Sequence, residues 1–279
     1  MGISLRTNVA ALEANTSLSQ TNERLNSNMM RLSSGQRINR AGDDAAGLAI
    51  SEGFRANIVS LDQAKRNAND GISLIQTAEG ALQEVSAILI RMRELGMQAW
   101  TETVSTGQRG FIQNEFDQLR SEIQRIGNTA NFNDLDLLTG QFAATANAMT
   151  FQVDLTGDPT QQINVQIATV SPSALGIELV AMTTTGGAQG ALSILDAAIQ
   201  GVSAQRATLG AAQNRLEAAI NNISTQYNNL SAANSRIRDV DVAEETAAMA
   251  RHRILMQSGV SVLAQANQIP QLALQLLQG

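Results

Sequence analysis

Two ladders of apolar side chains, each repeating every seven residues and lying far apart in the sequence, restrict this chain to folds built from long helices. From about Asp43 to Trp100, Leu61, Ala68, Ile75, Leu82 and Leu89 form the first ladder, with Ile58, Ile72 and Val85 on the same face. That period predicts an amphipathic helix with a coiled-coil seam. At 1.5 Å per residue it would run to about 80 Å, and no proline interrupts it. A helix of that length needs a partner along its whole course. The second ladder supplies one: Leu195, Val202, Leu209, Leu216, Ile223, Leu230 and Ile237. Ile199, Ile220 and Tyr227 fill its other seam position, while Arg206, Gln213 and Asn234 insert polar layers, which cost stability and fix register. The fold class predicted is mainly α, a long antiparallel coiled-coil-like helical rod that goes out through residues 43–140 and returns through 191–238.

The two ends, 1–42 and 239–279, carry ladders of their own. Leu5, Val9, Leu12, Leu18, Leu25, Met29 and Leu32 predict a helix that stops at Ser33-Ser34-Gly35, and Val242, Met249, Met256 and Leu263 repeat by sevens near the other terminus. Burying an apolar side chain gains about 1.5–3 kcal/mol, whereas ordering each residue costs about 1–2 kcal/mol in backbone entropy. Neither end folds alone on those terms. The termini are expected to pair as an inner helical coiled coil, and to order only when many copies pack together. Between the first helix and the long one, Gly42-Asp43-Asp44 provides a turn and a helix cap. The paired carboxylates also suit a metal or acid-base role, but capping and the helix dipole account for them more simply.

The middle of the chain is less periodic. After a polar connector, Thr101 to Gly107, a second helix carries Ile112, Phe116, Leu119, Ile123 and Ile126 and ends near Gly127-Asn128. Asn131 to Gly140 reads as irregular turns. In the central segment 141–190, Phe151 to Leu155 and Ile163 to Ile167 alternate apolar with polar around Gly157-Asp158-Pro159, which predicts a small β-hairpin. A connector rich in serine, threonine and glycine then leads to the returning helix at Ala191.

Composition removes most chemistry. The chain has no cysteine and one histidine, His252, so thiolate catalysis, histidine metal sites and catalytic triads lack their parts. There is no glycine-rich phosphate loop. No enzyme activity and no cofactor is expected, and His252 between Arg251 and Arg253 reads as a polar contact within a helix. A net charge of −6 argues against a nucleic-acid surface. No run approaches the ~20 apolar residues of a membrane span, and the first residues lack the basic and apolar regions of a cleaved signal peptide.

Several longer motifs resemble bacterial flagellin. Arg31-Leu-Ser-Ser-Gly-Gln-Arg-Ile-Asn39, Asp43-Asp-Ala-Ala-Gly-Leu-Ala-Ile50, Arg66-Asn-Ala-Asn-Asp-Gly-Ile-Ser73 and Gln76-Thr-Ala-Glu-Gly-Ala-Leu82 resemble its amino-terminal region, and Val262-Leu-Ala-Gln-Ala-Asn-Gln-Ile-Pro270 its carboxy-terminal signature. The resemblance covers roughly 1–140 and 190–279. It implies a structural subunit that self-assembles into the extracellular flagellar filament for swimming, exported without a cleaved signal peptide by the flagellar type III system. The terminal segments would be the two halves of a channel-lining inner domain. Implied partners are further copies of the chain, the flagellar cap, hook-junction proteins and an export chaperone. Only about fifty residues stand where many flagellins carry outer domains, so a minimal subunit is expected. Ile90-Arg-Met-Arg-Glu-Leu95 is similar to the segment recognised by the vertebrate Toll-like receptor for flagellin, which would make Arg91, Leu95 and Glu115 a receptor surface that also packs protofilaments. Ile90 and Gly96 depart from the usual glutamine and alanine. The alternatives are a hook-filament junction protein, which the motifs from Arg66 to Leu82 disfavour, and a flagellin-like surface protein that binds a ligand.

Overall fold

A computed structural model describes residues 7–155, 158 and 161–278, with side chains as far as Gln268. Five α-helices dominate: α1 (Val9–Ser34), α2 (Ala45–Trp100), α3 (Thr106–Thr129), α4 (Thr185–Arg238) and α5 (Val242–Gln278). Two small antiparallel ladders, β1 (Asn131–Phe132) with β2 (Leu135–Asp136) and β3 (Met149–Gln152) with β4 (Gln162–Val165), lie between α3 and α4. The chain divides into two compact units, one of residues 1–58 with 229–279 and the other of residues 59–228. Leu5 lies outside the described residues, as do Gly157 and Pro159 of the expected hairpin turn.

The unit that holds the termini is larger than the end segments the ladders suggested, because the first turns of α2 and the last of α4 belong to it. Hydrogen bonds between distant segments explain this. Gly35 ends α1 in the left-handed conformation, φ 69°, which glycine adopts without steric cost. Gln36 then bridges Asp239. The Arg37 amide donates to the Arg238 carbonyl at 2.6 Å and the Val240 amide to that of Gly35 at 3.1 Å. The Arg37 guanidinium donates to the Ile237 carbonyl, and Arg238 pairs with Glu52 at 2.6 Å.

Within that unit α1 and α5 pack against each other, antiparallel, as Asn8 bonding to the Ala266 carbonyl at one end and Arg31 facing Glu245 at the other require. The Asn8 side chain also accepts from the Ala11 amide and caps α1. Leu25 is buried in the seam, and Leu18, Leu32, Met249, Met256 and Leu263 are half-buried. Val9, Leu12, Met29 and Val242 are exposed, so within one chain the pair buries only part of each ladder. Two helices cover only one stripe of each other, and a strict seven-residue ladder drifts around an ideal helix by about 20° per repeat.

The 59–228 unit has one apolar core. Ala68, Ile75, Leu82 and Leu89 of α2 are buried in it, with Leu195, Val202, Leu209 and Leu216 of α4 and Phe116 and Ile123 of α3; Leu61 of α2 and Ile223 of α4 are also buried, outside that cluster. Leu230 is half-buried and belongs to the other unit. The polar layers are satisfied in part, Arg206 by Glu79 at 3.4 Å and Gln213 by Glu217 at 3.0 Å.

The helix α3 starts within the expected connector because Ser105 and Gln108 form a capping box. Four residues into α3, buried Arg109 donates to the Ala99 carbonyl at 2.7 Å and the Thr101 carbonyl at 3.1 Å, so it closes the carboxyl end of α2. Arg109→Met keeps the apolar stem and removes both donors. It should cost on the order of 2–3 kcal/mol, read as a lower urea midpoint with unchanged slope; a variant within 0.5 kcal/mol of the parent would remove this capping role.

Two readings of the middle region are corrected. Asn131 to Gly140 contains a β-hairpin, turned by Asn133 and Asp134 at φ 51° and 61°, the tight turn in which both central residues take positive φ. The segment before α4 is not a loose connector: Val170, Ile177, Val180 and Met182 are buried, and Val170 donates to the Leu138 carbonyl. The returning helix begins at Thr185, six residues early, with Thr184 accepting from the Gly187 amide. The larger hairpin pairs Met149 with Val165 and Phe151 with Ile163, so β3 starts two residues before the alternating run and Val153 and Leu155 fall outside it.

Candidate functional site

No cluster of histidine, cysteine, aspartate or glutamate suited to a metal occurs among the described residues, and none of their helices is long and apolar enough to cross a membrane.

On the 59–228 unit, α2 and α3 run side by side so that the Arg91 guanidinium donates to Glu115 at 2.8 and 3.1 Å and to Glu94 at 3.0 Å. These hydrogen bonds, Glu115 first and Glu94 second, hold the Arg91 pKa above its ordinary value. The neighbouring Arg93 pairs with Asp196 of α4 at 2.6 Å, and its pKa is raised for the same reason. Arg91 and Glu115 are thus brought together, as the expected receptor surface requires. Leu95 is not part of it: only 1% exposed, it points into the core with Met92 and Ala99, three before and four after it. Buried in this way, it offers no side chain to another protein's pocket. Phe111 of α3, 76% exposed and one helical turn before Glu115, is the large side chain that the sequence reading passed over.

Asp43 and Asp44 have separate structural duties. Asp44 accepts from the Gly47 amide at 2.8 Å, near the start of α2. Asp43 accepts from the amides of Asn39 and Arg40 at 3.0 and 2.9 Å, and these bonds, that from Arg40 first, lower its pKa. Its contribution is present above the ordinary aspartate range, near pH 4, and is lost as pH falls through the lower folded value. Asp43→Asn should therefore unfold at a lower temperature than the parent at pH 7, with the two converging as pH falls through the lowered folded value. A difference between them that does not depend on pH would exclude the charge as its cause.

On the unit that holds the termini, α1 and α5 leave Val9, Leu12, Ile254, Leu255, Val260 and Val262 exposed. His252 lies half-buried on α5 with Nδ1 enclosed and unbonded. An apolar pair that still shows this much apolar surface is suited to association with other molecules.

The bacterial flagellin N-terminal helical region matches residues 5–143, and the bacterial flagellin C-terminal helical region matches residues 192–277. The chain belongs to the flagellin family. The flagellin of Bacillus subtilis is 46% identical over 97% of this chain and 98% of that protein. The flagellar filament 33 kDa core protein of Treponema phagedenis is 43% identical over the same shares. Nearly the whole of each relative is therefore matched. A solved structure assigned to a flagellar hook-associated protein of Vibrio parahaemolyticus aligns with 71% of this chain and 100% of that one, with a TM-score of 0.58 at 12% identity. At that identity the likeness speaks only to the fold. In this flagellin-family chain the two matched regions contain all five helices almost entirely, while β3 and β4 fall between them.

Proposed function

We propose that the chain is a structural subunit that polymerises into the bacterial flagellar filament. The observation that carries this reading is the full-length match to flagellins and to a filament core protein, at both helical ends at once. The physical arrangement suits it, since the terminal helices form a slender pair with apolar side chains still facing outward. On this reading the filament is extracellular, the chain leaves the cell through the flagellar export apparatus with a chaperone, and it meets cap and hook-junction proteins as well as its own copies. The terminal helices would order fully only in the polymer. Its work is mechanical, and no step of it needs a cofactor.

Electron microscopy of monomer before and after seeding with short filament fragments tests the proposal. Long uniform tubes are expected. Persistent monomers, or short caps on the seeds, would instead mark a hook-filament junction adaptor.

A receptor role rests on the exposed Arg91–Glu115 pair. An arginine already oriented by two carboxylates can offer remaining donors to a partner. Arg91→Ala should reduce signalling through the vertebrate receptor for flagellin by tenfold or more in a reporter-cell assay. Equal signalling by variant and parent would defeat this role.

A further inference from the structure

Sulfur enters this chain only as methionine, since there is no cysteine, and the methionines differ widely in access. Met92 and Met182 are fully buried, whereas Met29, Met30 and Met97 are 46, 39 and 45% exposed. Met30 differs from the other two exposed ones in what surrounds it. Helical spacing puts Glu23, Asn26, Ser27 and Met30 on one face of α1, opposite the stripe through Leu18, Leu25 and Leu32 that turns toward α5. Beside that face runs the turn that precedes α2. The two enclose an open cleft of about 330 Å³, walled by Asn26, Ser27 and Met30 of α1 and by Asn39, Arg40 and Asp43 of the turn.

Met30 is thus the apolar member of a polar cleft. Asp43 accepts from the Asn39 and Arg40 amides, and the Arg40 guanidinium has no ion-pair partner among the described residues. Oxygenation turns a thioether into a polar sulfoxide whose oxygen accepts hydrogen bonds. Here a guanidinium and two side-chain amides stand on the same walls as the sulfur, and all of them donate.

We propose that Met30 is a sulfoxidation site for hydrogen peroxide and small organic hydroperoxides, and that its sulfoxide keeps the chain out of the polymer. Met30 Sδ attacks one peroxide oxygen and the O–O bond breaks. The proton on the transferred oxygen passes to the departing hydroxide or alkoxide, which leaves as water or an alcohol. Sulfur is oxidised by two electrons and the peroxide is reduced by the same two. Donors on the cleft wall stabilise the departing oxygen and afterwards hold the sulfoxide oxygen. Arg40 bonded in this way ties α1 to the turn before α2, while a polar group replaces a flexible apolar one on the surface of α1. Methionine sulfoxide reductases reverse the change, so it acts as a switch on chains not yet incorporated. The block on assembly rests on the filament reading; the oxidation site does not.

Limited hydrogen peroxide treatment of the parent monomer, followed by peptide mass spectrometry, tests the site. Met30 should gain its oxygen about threefold or more faster than the more exposed Met29 and Met97. A rate no greater than theirs would show that exposure alone decides, and would overturn the site. Arg40→Leu should bring Met30 down to the rate of Met97, and an unchanged rate overturns the part given to the cleft. The same partly oxidised parent chains are then added to filament seeds. Sulfoxide at Met30, but not at Met97, should be about tenfold scarcer in the filaments than in the chains left in solution. Treatment with methionine sulfoxide reductases should return those chains to growth. Equal sulfoxide content in both fractions overturns the block on assembly, and this comparison needs no variant to fold. Untreated parent that adds to no seed overturns the filament reading and the block with it, while the oxidation rates still decide the site.

Discussion

Phe116→Ala is expected to lower the stability of the 59–228 unit by about 3–5 kcal/mol, the range for removing a buried aromatic ring. Phe116 has no exposed surface and joins the core that includes Leu89 and Met92 of α2 and Leu195 of α4. The cavity left behind cannot be refilled cheaply, because its walls are set by helices whose other residues are packed along their length. Urea unfolding followed by helical circular dichroism should show a lower midpoint at unchanged slope. A loss below about 1 kcal/mol would mean that the core around α3 relaxes freely, contrary to the burial pattern.

Leu25→Asp should abolish filament growth without altering the unfolding of the 59–228 unit. Leu25 is buried in the α1/α5 seam, where a carboxylate loses its water and gains no positioned partner; the cost is several kcal/mol. The seam has little stability to spare, since its helices bury only a narrow stripe. In the dilute parent monomer its amides are expected to exchange freely, and in filaments to be protected. Leu25→Met, close in volume, should polymerise normally. Filaments of ordinary length from Leu25→Asp would show that the seam does not govern assembly.

What could be read in advance follows from how locally each feature is determined. The ladders of α2 and α4 were legible because a helix repeats its contacts with a fixed period, and every member from Leu61 to Leu89 is buried. The segment from Val170 to Met182 has no period. Its burial depends on where α3 and α4 place it, and only the assembled unit specifies that. The turn at Asn133-Asp134 carried a readable signal, two residues tolerant of positive φ between apolar neighbours. Leu95 was legible too: Val85, Leu89, Met92, Leu95 and Ala99 follow core spacing, and the resemblance to a receptor-binding segment drew attention away from it. The pairing of Arg91 with Glu115 had no local signal, because it depends on how α3 is laid against α2.

The bond from Asn8 to Ala266 joins residues 258 positions apart, and Arg37 meets the Ile237 carbonyl across 200. Contacts of such separation form late, after the entropy of closing a very large loop has been met. A chain that emerges amino end first has no partner for α1 until almost the last residue is available. The first helix therefore waits, and the time at which its seam closes is set by delivery of the opposite end rather than by any local folding rate.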